Sequence, residues 1–266
     1  MAISAMYSAA TGMDAQLISL DTIANNLANA STTGFKRSRV DFEDVYYQYL
    51  KPPGSQDANG KLTPVGVAEG LGVKVSATAV DHNQGNLLQT GMPYDVAIQG
   101  DGFFQVEDTT ETLYTRAGAF SLNADGELVM QSSGRGRRLL PNITIPPDTL
   151  QVTISGNGIV EVLQPGSPNA NQVGQLETAR FINPQGLIQR GDNLYAISGA
   201  SGAALTGAPG LEGRGTLLQG FLEASNTEPV KEIVDLIKTQ RVFELNSQVV
   251  NAADQSLQLI SNLRRF

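Results

Sequence analysis

Apolar residues recur at heptad spacing along the first 27 residues of the chain. Two lines of positions, each with members seven residues apart, contain Ile3, Ala10, Leu17 and Ala24 and then Met6, Met13, Leu20 and Leu27. Together the lines alternate three- and four-residue steps, as the a and d positions of a coiled coil do. This pattern predicts a long N-terminal helix. Because half of its seam residues are Ala or Met, which bury little area, such a helix is expected to be marginal on its own in water.

A second helical pattern runs from about residue 228 to residue 263. Asn226 or Thr227 is expected to cap this helix, and Pro229 is tolerated in the first turn. One strict seven-residue line contains Leu236, Phe243, Val250 and Leu257. A second apolar line on another side contains Val242, Leu245, Val249, Ala252, Leu259 and Leu263. Two stripes predict that the helix packs on two sides, as in a crowded bundle.

The two ends could instead form an intramolecular hairpin that packs on the middle of the chain. We consider this alternative less favoured, because the middle has a complete β pattern of its own and needs no helical cover. The favoured prediction is that both ends pair with other copies in the core of an assembly.

Short alternating segments separated by turns fill residues 71–222, which predicts an all-β domain. Segments expected to be strands include 73–80, 95–99, 102–106, 127–131, 149–154, 158–163, 179–182 and 193–197. Turns are predicted at 124–126, 156–158, 183–186 and 190–192 because Gly, Asn, Asp and Pro cluster there. The Gly- and Ala-rich tract 199–215 is expected to be a surface loop.

The pattern therefore predicts an α+β chain with a nested layout. Long N- and C-terminal coiled-coil helices, at 1–35 and 226–266, form one discontinuous helical core domain. Residues 36–70 form an extended or hairpin connector, and 71–225 form an all-β outer domain. The connector contains a tyrosine cluster and several prolines, namely Tyr46, Tyr47, Tyr49, Pro52, Pro53 and Pro64. Terminal helices around an inserted β domain are typical of a filament subunit.

The charge and residue composition of the chain argue against several classes of function. The 266 residues carry 18 Lys and Arg against 26 Asp and Glu, a formal charge of -8, which argues against nucleic acid and polybasic membrane binding. The chain has no Cys and one His, His82, so thiolate chemistry is excluded and histidine-based catalysis is disfavoured. The first 35 residues lack Lys and Arg, so we expect no cleaved signal peptide.

Motifs for site chemistry are weak or incomplete. The calcium-loop-like stretch at 121–126 lacks the first aspartate, and the glycines at 100 and 102 lack the third glycine of a dinucleotide fingerprint. Asp81 and His82 are more typical of a solvated turn than of half a triad. The basic run 135–138 is expected to be a solvated loop, with docking to an acidic partner as the alternative. We therefore predict no catalytic residue, no metal site, no cofactor and no small-molecule substrate.

Several stretches resemble the bacterial flagellar rod and hook family, in the order in which that family has them. Residues 25–36 read NNLANASTTGFK, and residues 95–106 read DVAIQGDGFFQV. Further matches are YTRAGAF at 114–120, DGELV at 125–129, QGFLEASN at 219–226 and IKTQRVFELN at 237–246. Asn29, Gly34 and Phe35 belong to the first motif, where Gly34 is expected to adopt a left-handed conformation.

The resemblance implies a structural protein of motility. Because the chain has no room for the outer domain of a hook protein, it implies a subunit of the distal rod, which self-assembles into a rigid helical tube and transmits torque from motor to hook. Its place would be the basal body in the periplasm, spanning toward the outer-membrane ring. Implied partners are further copies, neighbouring rod and hook proteins, ring proteins and the type III export apparatus. The alternatives are another rod protein of the family and a periplasmic peptidoglycan-acting enzyme.

Overall fold

The computed structural model describes residues 2–56, 61–131, 136–166 and 169–263. Two long helices, α1 (Ala2–Ala28) and α2 (Pro229–Leu263), lie at the ends of the described chain. The strands between them are β1 (Ser38–Asp44), β2 (Tyr47–Lys51), β3 (Val67–Gly70), β4 (Val73–Val80), β5 (Leu87–Gln89), β6 (Val96–Gln99), β7 (Phe103–Glu107), β8 (Thr112–Thr115), β9 (Phe120–Leu122), β10 (Leu128–Met130), β11 (Leu139–Leu140), β12 (Gln151–Ile154), β13 (Ile159–Leu163), β14 (Asn171–Gln175), β15 (Thr178–Arg180), β16 (Ile188–Gly191), β17 (Leu194–Ala196), β18 (Leu205–Gly207), β19 (Thr216–Gln219) and β20 (Phe221–Glu223). The predicted α+β class is confirmed.

The chain divides into two compact units. The helical unit comprises Met1–Ala28, Ser38–Ala79 and Glu228–Phe266, and the outer unit comprises Asn29–Arg37 and Val80–Thr227. These boundaries differ from those read from the sequence. The connector belongs with the helices, whereas the polar turn after α1 belongs with the outer unit.

Within the helical unit, α1 packs against α2, and the connector forms a two-stranded ribbon. Strand β1 pairs with β4 and β2 pairs antiparallel with β3, and backbone hydrogen bonds from Val45 to Gly72 and from Leu71 to Tyr46 join the two ladders. The helix hairpin was the less favoured alternative from the sequence. It forms because each helix has one stripe of small and apolar residues that the other covers.

Asn26 holds three elements of the helical unit together. It is buried, and its side-chain amide donates to Ser38 O at 2.8 Å and accepts from Ser38 N at 2.9 Å. The same amide nitrogen donates to Glu232 on α2 at 3.3 Å. Gly72 allows the ribbon to approach α1, because a Cβ at this position would lie 2.1 Å from the hydroxyl of Thr11 and its φ is +102°. Polar residues therefore fix the ribbon on α1.

The outer unit contains several short antiparallel sheets. In the largest of them the strand order is β16, β17, β8, β7, β15 and β18, and β11 also pairs with β7. Neighbouring residues of β7 point to opposite faces, so Phe104 enters the main core while Phe103 enters a smaller aromatic core with Tyr114, Phe181 and Tyr195. The central strands β7, β8 and β17 are buried along most of their length, whereas the edge strands β16 and β18 are largely exposed.

The eight predicted segments all contain strands. The predicted turns 124–126 and 156–158 lie between strands, and 183–186 contains the 3-10 turn Pro184–Gly186, whereas 190–192 overlaps the end of β16. The tract 199–215 is not wholly a loop, because β18 lies within it and pairs with β15. Asn226 does not serve α2 as expected. Its side chain bonds to other loops of the outer unit, as described below.

Candidate functional site: assembly surfaces and a buried junction

The two predicted lines of α1 differ in exposure. Met6, Met13, Leu20 and Leu27 are half-buried, whereas Ala10, Leu17 and Ala24 face solvent. Ile3 lies in α1, but its side chain is outside the described part of the chain. One line is thus partly covered inside the subunit, and the other remains available to another molecule.

Helix α2 has a packed face and a bare apolar face. The line Leu236, Phe243, Val250 and Leu257 is half-buried and alternates with Thr239, Asn246 and Ala253, which are also buried or half-buried. This three-four alternation forms one seam, on which Asn246 lies against Gly12 of α1. The other side exposes Val230, Ile233, Val234, Ile237, Val242, Leu245, Val249, Leu259 and Ile260. A helix face of this kind is suited to a partner.

The connector ribbon also exposes apolar side chains. All six residues singled out from its sequence are solvent-exposed, namely Tyr46, Tyr47, Tyr49, Pro52, Pro53 and Pro64. Further along the ribbon Leu62, Val65 and Val67 are exposed as well. Aromatic side chains offer large contact area at low rotamer cost, so this ribbon is a second candidate contact surface.

The turn after α1 belongs to the outer unit and depends on Gly34. Its φ is +70°, as the sequence predicted, and a Cβ here would lie 2.6 Å from the backbone nitrogen of Ala117. Gly34 N donates to the carbonyl of Glu223 at 2.8 Å, and Phe35 O accepts from Asn226 N at 3.4 Å. The first residue of the turn, Asn29, accepts from Thr32 N at 3.1 Å. The turn is therefore bonded to the segment that precedes α2.

Three charged residues form a buried junction cluster directly after this turn: Lys36, Arg116 and Glu223. The side chains of Lys36 and Glu223 are 0% exposed, and Lys36 Nζ lies 2.5 Å from Glu223 Oε1. Arg116 donates to Glu223 Oε2 at 3.3 Å and to the carbonyl of Gly100 at 2.7 Å. Gly85 N also donates a hydrogen bond to this carboxylate, with 2.9 Å between Gly85 N and Glu223 Oε1. One carboxylate thus pairs with two buried cations.

Asn226 binds the loops around this cluster. Its side-chain oxygen accepts from Arg37 N at 2.8 Å, while its amide nitrogen donates to the carbonyls of Asp81 at 2.8 Å and Asn83 at 3.1 Å. Lys36 Nζ donates to the same Asn83 carbonyl at 2.6 Å. These bonds tie together the stretches at 29–37, 80–86 and 223–227, all of which belong to the outer unit.

Burial controls the protonation of the groups at the junction. Desolvation lowers the pKa of Lys36, against the opposing attraction of Glu223, and also lowers that of Arg116. Desolvation and the nearby cations Lys36 and Arg116 lower the pKa of His82 to about 4. His82 packs edge-on against Phe103 and Tyr195, with ring centroids 5.6 and 5.5 Å apart. His82 is therefore a neutral packing residue near pH 7 rather than a solvated one.

Reasoning from hydrophobic pattern missed the junction cluster, although its members lie in the motifs that carry the family resemblance. A Lys, an Arg and a Glu spread over 187 positions give no periodic pattern. The basic run is also engaged internally: Arg137 pairs with Asp108 and Asp192, and Arg138 pairs with Glu127. Arg135 lies outside the described residues.

In the described ranges, no cluster of three His, Asp or Glu side chains could hold a metal ion. No described helix is long and apolar enough to cross a membrane. The described residues instead present exposed apolar helix faces and a buried, hydrogen-bonded cluster of charged residues. These features define a structural subunit that assembles with other chains.

Comparison with known proteins identifies the family. The family "Flagella basal body rod protein" matches residues 6–36, "Flagellar hook protein FlgE/F/G D1 domain" matches 97–162, and "Flagellar basal body rod FlgEFG protein C-terminal" matches 218–263. The flagellar basal-body rod protein FlgG of Agrobacterium fabrum is 46% identical over 97% of this chain and 98% of its own length. FlgG of Caulobacter vibrioides is 44% identical over 98% of this chain and 100% of its own length, and FlgF of that organism is 36% identical over 93% and 92%. The chain belongs to the FlgG family of flagellar basal-body rod proteins. The predicted resemblance is confirmed, as is the prediction of a structural protein rather than an enzyme.

Proposed function

We propose that this chain is a structural subunit of the flagellar distal rod, a rigid helical tube that transmits torque from motor to hook. The observation that carries the proposal is nearly full-length similarity to FlgG rod proteins, at 41 to 46% identity for several relatives. The bare apolar faces of α1 and α2 supply the contacts that a polymer needs. The tube would lie in the periplasm and extend toward the outer-membrane ring.

In this proposal the helices of adjacent copies form the coiled-coil core of the tube, and the outer unit faces outward as a β domain. The exposed line of α1 and the bare face of α2 are the intermolecular seams, since the remaining lines are used within the hairpin. The proposed partners are further copies, neighbouring rod and hook proteins, ring proteins around the shaft, and the type III export apparatus that delivers the chain unfolded.

Substitution of Leu17 tests the assembly surface. Leu17 is exposed in the subunit, so Leu17→Asp leaves the subunit folded, but it places an unpaired charge in each proposed interface. We expect electron microscopy to show no rods for Leu17→Asp, while the control Leu211→Asp, at an exposed position of the outer unit, still polymerises. Rods of normal length from the Leu17 variant would contradict this assignment.

Stiffness is proposed to come from the connector ribbon. Deletion of residues 50–65 should leave the terminal helices able to polymerise but should give curved rods, because the ribbon contacts between copies are lost. Filament curvature in electron micrographs is the measurement, with Tyr46→Ser/Tyr49→Ser as a variant that keeps the ribbon and removes its aromatic area. Straight rods after the deletion would place stiffness in the core or the outer unit.

A further inference from the structure

A small pocket lies at one end of the largest sheet of the outer unit, beside the junction cluster. Its volume is about 140 Å³, well below the roughly 300–1,000 Å³ of clefts for drug-sized ligands, so it suits a molecule of a few heavy atoms. Three strands fix its walls, because Arg116 follows β8, Phe103 begins β7 and Arg180 ends β15. We call it the His82 pocket, and its lining includes His82, Asp101, Phe103, Arg116, Arg180 and Phe181.

The guanidinium of Arg116 brings a buried hydrogen-bond donor to this pocket. Its Nη1 donates to Glu223 at 3.3 Å and to the carbonyl of Ile98 at 3.4 Å, and its Nη2 donates to the carbonyl of Gly100 at 2.7 Å. Among the described residues, Nε of the same group is buried and has no hydrogen-bond partner. Arg116 Cζ lies 5.5 Å from the centroid of the Phe103 ring, a contact that holds the guanidinium in place. A buried donor without a partner is unfavourable, so an acceptor atom bound in the pocket would stabilise it.

His82 brings two further buried polar atoms to the pocket. In the part of the chain that the structure describes, neither of its ring nitrogens makes a hydrogen bond, although the backbone of Pro184 lies near the ring. Burial and the cations Lys36 and Arg116 lower the pKa of His82 to about 4, while Asp81 opposes them. Near pH 7 the ring is therefore neutral and has one N–H group to donate to an acceptor.

The charges beside the His82 pocket favour an anion. Lys36 and Arg116 are both buried and share the carboxylate of Glu223, which leaves one buried positive charge. At the exposed rim, Asp101 and Arg180 have opposite charges and offset each other. This local sign is opposite to the formal charge of -8 of the whole chain. A monovalent anion would balance the buried positive charge, whereas a dianion would leave an uncompensated negative charge.

We propose that the His82 pocket binds a small carboxylate of the size of acetate. Its oxygens would accept hydrogen bonds from Arg116 Nε and from Arg180, because planar guanidinium groups match carboxylate geometry. Its alkyl group would pack against Phe181, a buried aromatic residue of the lining. Every lining residue belongs to the outer unit, so this binding does not depend on the proposed assembly.

The single histidine of the chain allows a direct test by NMR, because the imidazole signal comes from His82 alone. Full-length protein with 13C-labelled histidine is titrated at pH 7 with sodium acetate and, separately, with sodium chloride at equal ionic strength. We expect a saturable shift with acetate and a Kd on the order of 1 mM, a strength that four heavy atoms can supply. Chloride should bind at least about tenfold more weakly, because it cannot accept from two guanidinium groups in the carboxylate geometry.

Substitution of one proposed ligand separates site binding from a general effect of salt. Arg180→Gln removes a rim donor at an exposed position, so the fold should be kept. The matched control is Arg190→Gln, since Arg190 is an exposed arginine of the same unit that does not line the pocket. We expect Arg180→Gln to raise the Kd for acetate about tenfold or more, and Arg190→Gln to leave it unchanged. The thermal midpoint is a second readout, since acetate should raise it in the wild type and in Arg190→Gln more than in Arg180→Gln.

Three results would each overturn the carboxylate site. They are equal acetate affinity in Arg180→Gln and Arg190→Gln, equal responses to acetate and chloride, and no saturable shift at about a hundredfold excess over the expected Kd. None of them bears on the proposed rod function, whose test is polymerisation.

Discussion

Removal of the charge of Glu223 should destabilise the outer unit more than any surface ion pair can. The carboxylate of Glu223 accepts hydrogen bonds from Lys36, Arg116 and Gly85 N. In Glu223→Gln one carboxylate oxygen is replaced by an NH2 group, which cannot accept these bonds and faces hydrogen-bond donors. Two buried cations then lack a counter-charge. Breaking a buried pair by removal of one partner costs about 3–5 kcal/mol. We expect a loss of this size in the free energy of unfolding.

A matched control is available in the same unit. Glu111 pairs with Arg190 at 3.1 Å, and both side chains are exposed. Exposed pairs contribute roughly 0–1 kcal/mol, so Glu111→Gln should change stability by no more than that. Urea unfolding followed by circular dichroism and tyrosine fluorescence measures both variants. A loss for Glu223→Gln within the range of the control would refute the argument that the junction cluster is electrostatically coupled.

The coupling itself is read from a double-mutant cycle. Lys36→Met in the Glu223→Gln background removes one of the two uncompensated cations and should recover part of the loss. We expect a coupling free energy of about 1–3 kcal/mol between the two positions, since they share a direct contact and a common partner. Additive effects would show that the two side chains act only through packing.

Three further results are expected. The pKa of His82 is about 4 in the folded protein and near 6.5 in the unfolded chain, so the unfolded state binds a proton first as the pH falls. The free energy of unfolding should therefore decrease by up to about 3 kcal/mol between pH 6.5 and pH 4. His82→Gln should abolish that part of the pH dependence of the urea midpoint. Gly34→Ala forces a side chain against Ala117 N at positive φ, so the thermal midpoint of the outer unit should drop, whereas Gly54→Ala, which meets open space at a similar φ, should cost less. In the isolated monomer, amide hydrogen exchange should be fast in residues 2–28 and 229–263, because the hairpin buries few large side chains; slow exchange in both would contradict folding on assembly.

In the described residues the hydrophobic pattern located both long helices and eight of the twenty strands, but not the boundaries between the units. Period-two segments found the strands because each of them has at least one buried face. Strand β4 was assigned to the outer domain, since its sequence resembles any half-buried strand. Its partner is β1 of the connector, a pairing that no local pattern encodes. The same limit applies to β18, whose Leu-Thr-Gly sequence lies within a Gly-rich tract.

Polar residues were the least predictable part of the candidate site. Asn26 belongs to neither of the apolar lines predicted for α1, yet its amide joins α1, β1 and α2. Asn226 or Thr227 was expected to cap α2, because both side chains can accept a hydrogen bond from the first turn of a helix. The loops at 81 and 83 offer the amide of Asn226 two carbonyls instead, and this tertiary environment determines the outcome.

The packing of α2 reconciles the hairpin with assembly. A helix with one apolar stripe is satisfied by one neighbour, and α1 covers only the seam through Phe243 and Val250. The other stripe, which includes Val242, Leu245 and Val249, stays exposed in the subunit. Since full burial of such a side chain contributes about 1.5–3 kcal/mol, covering the exposed half of each adds on the order of 1 kcal/mol. Every copy in a tube would gain this increment at the same positions, so a weak hairpin in the monomer is compatible with a stiff polymer.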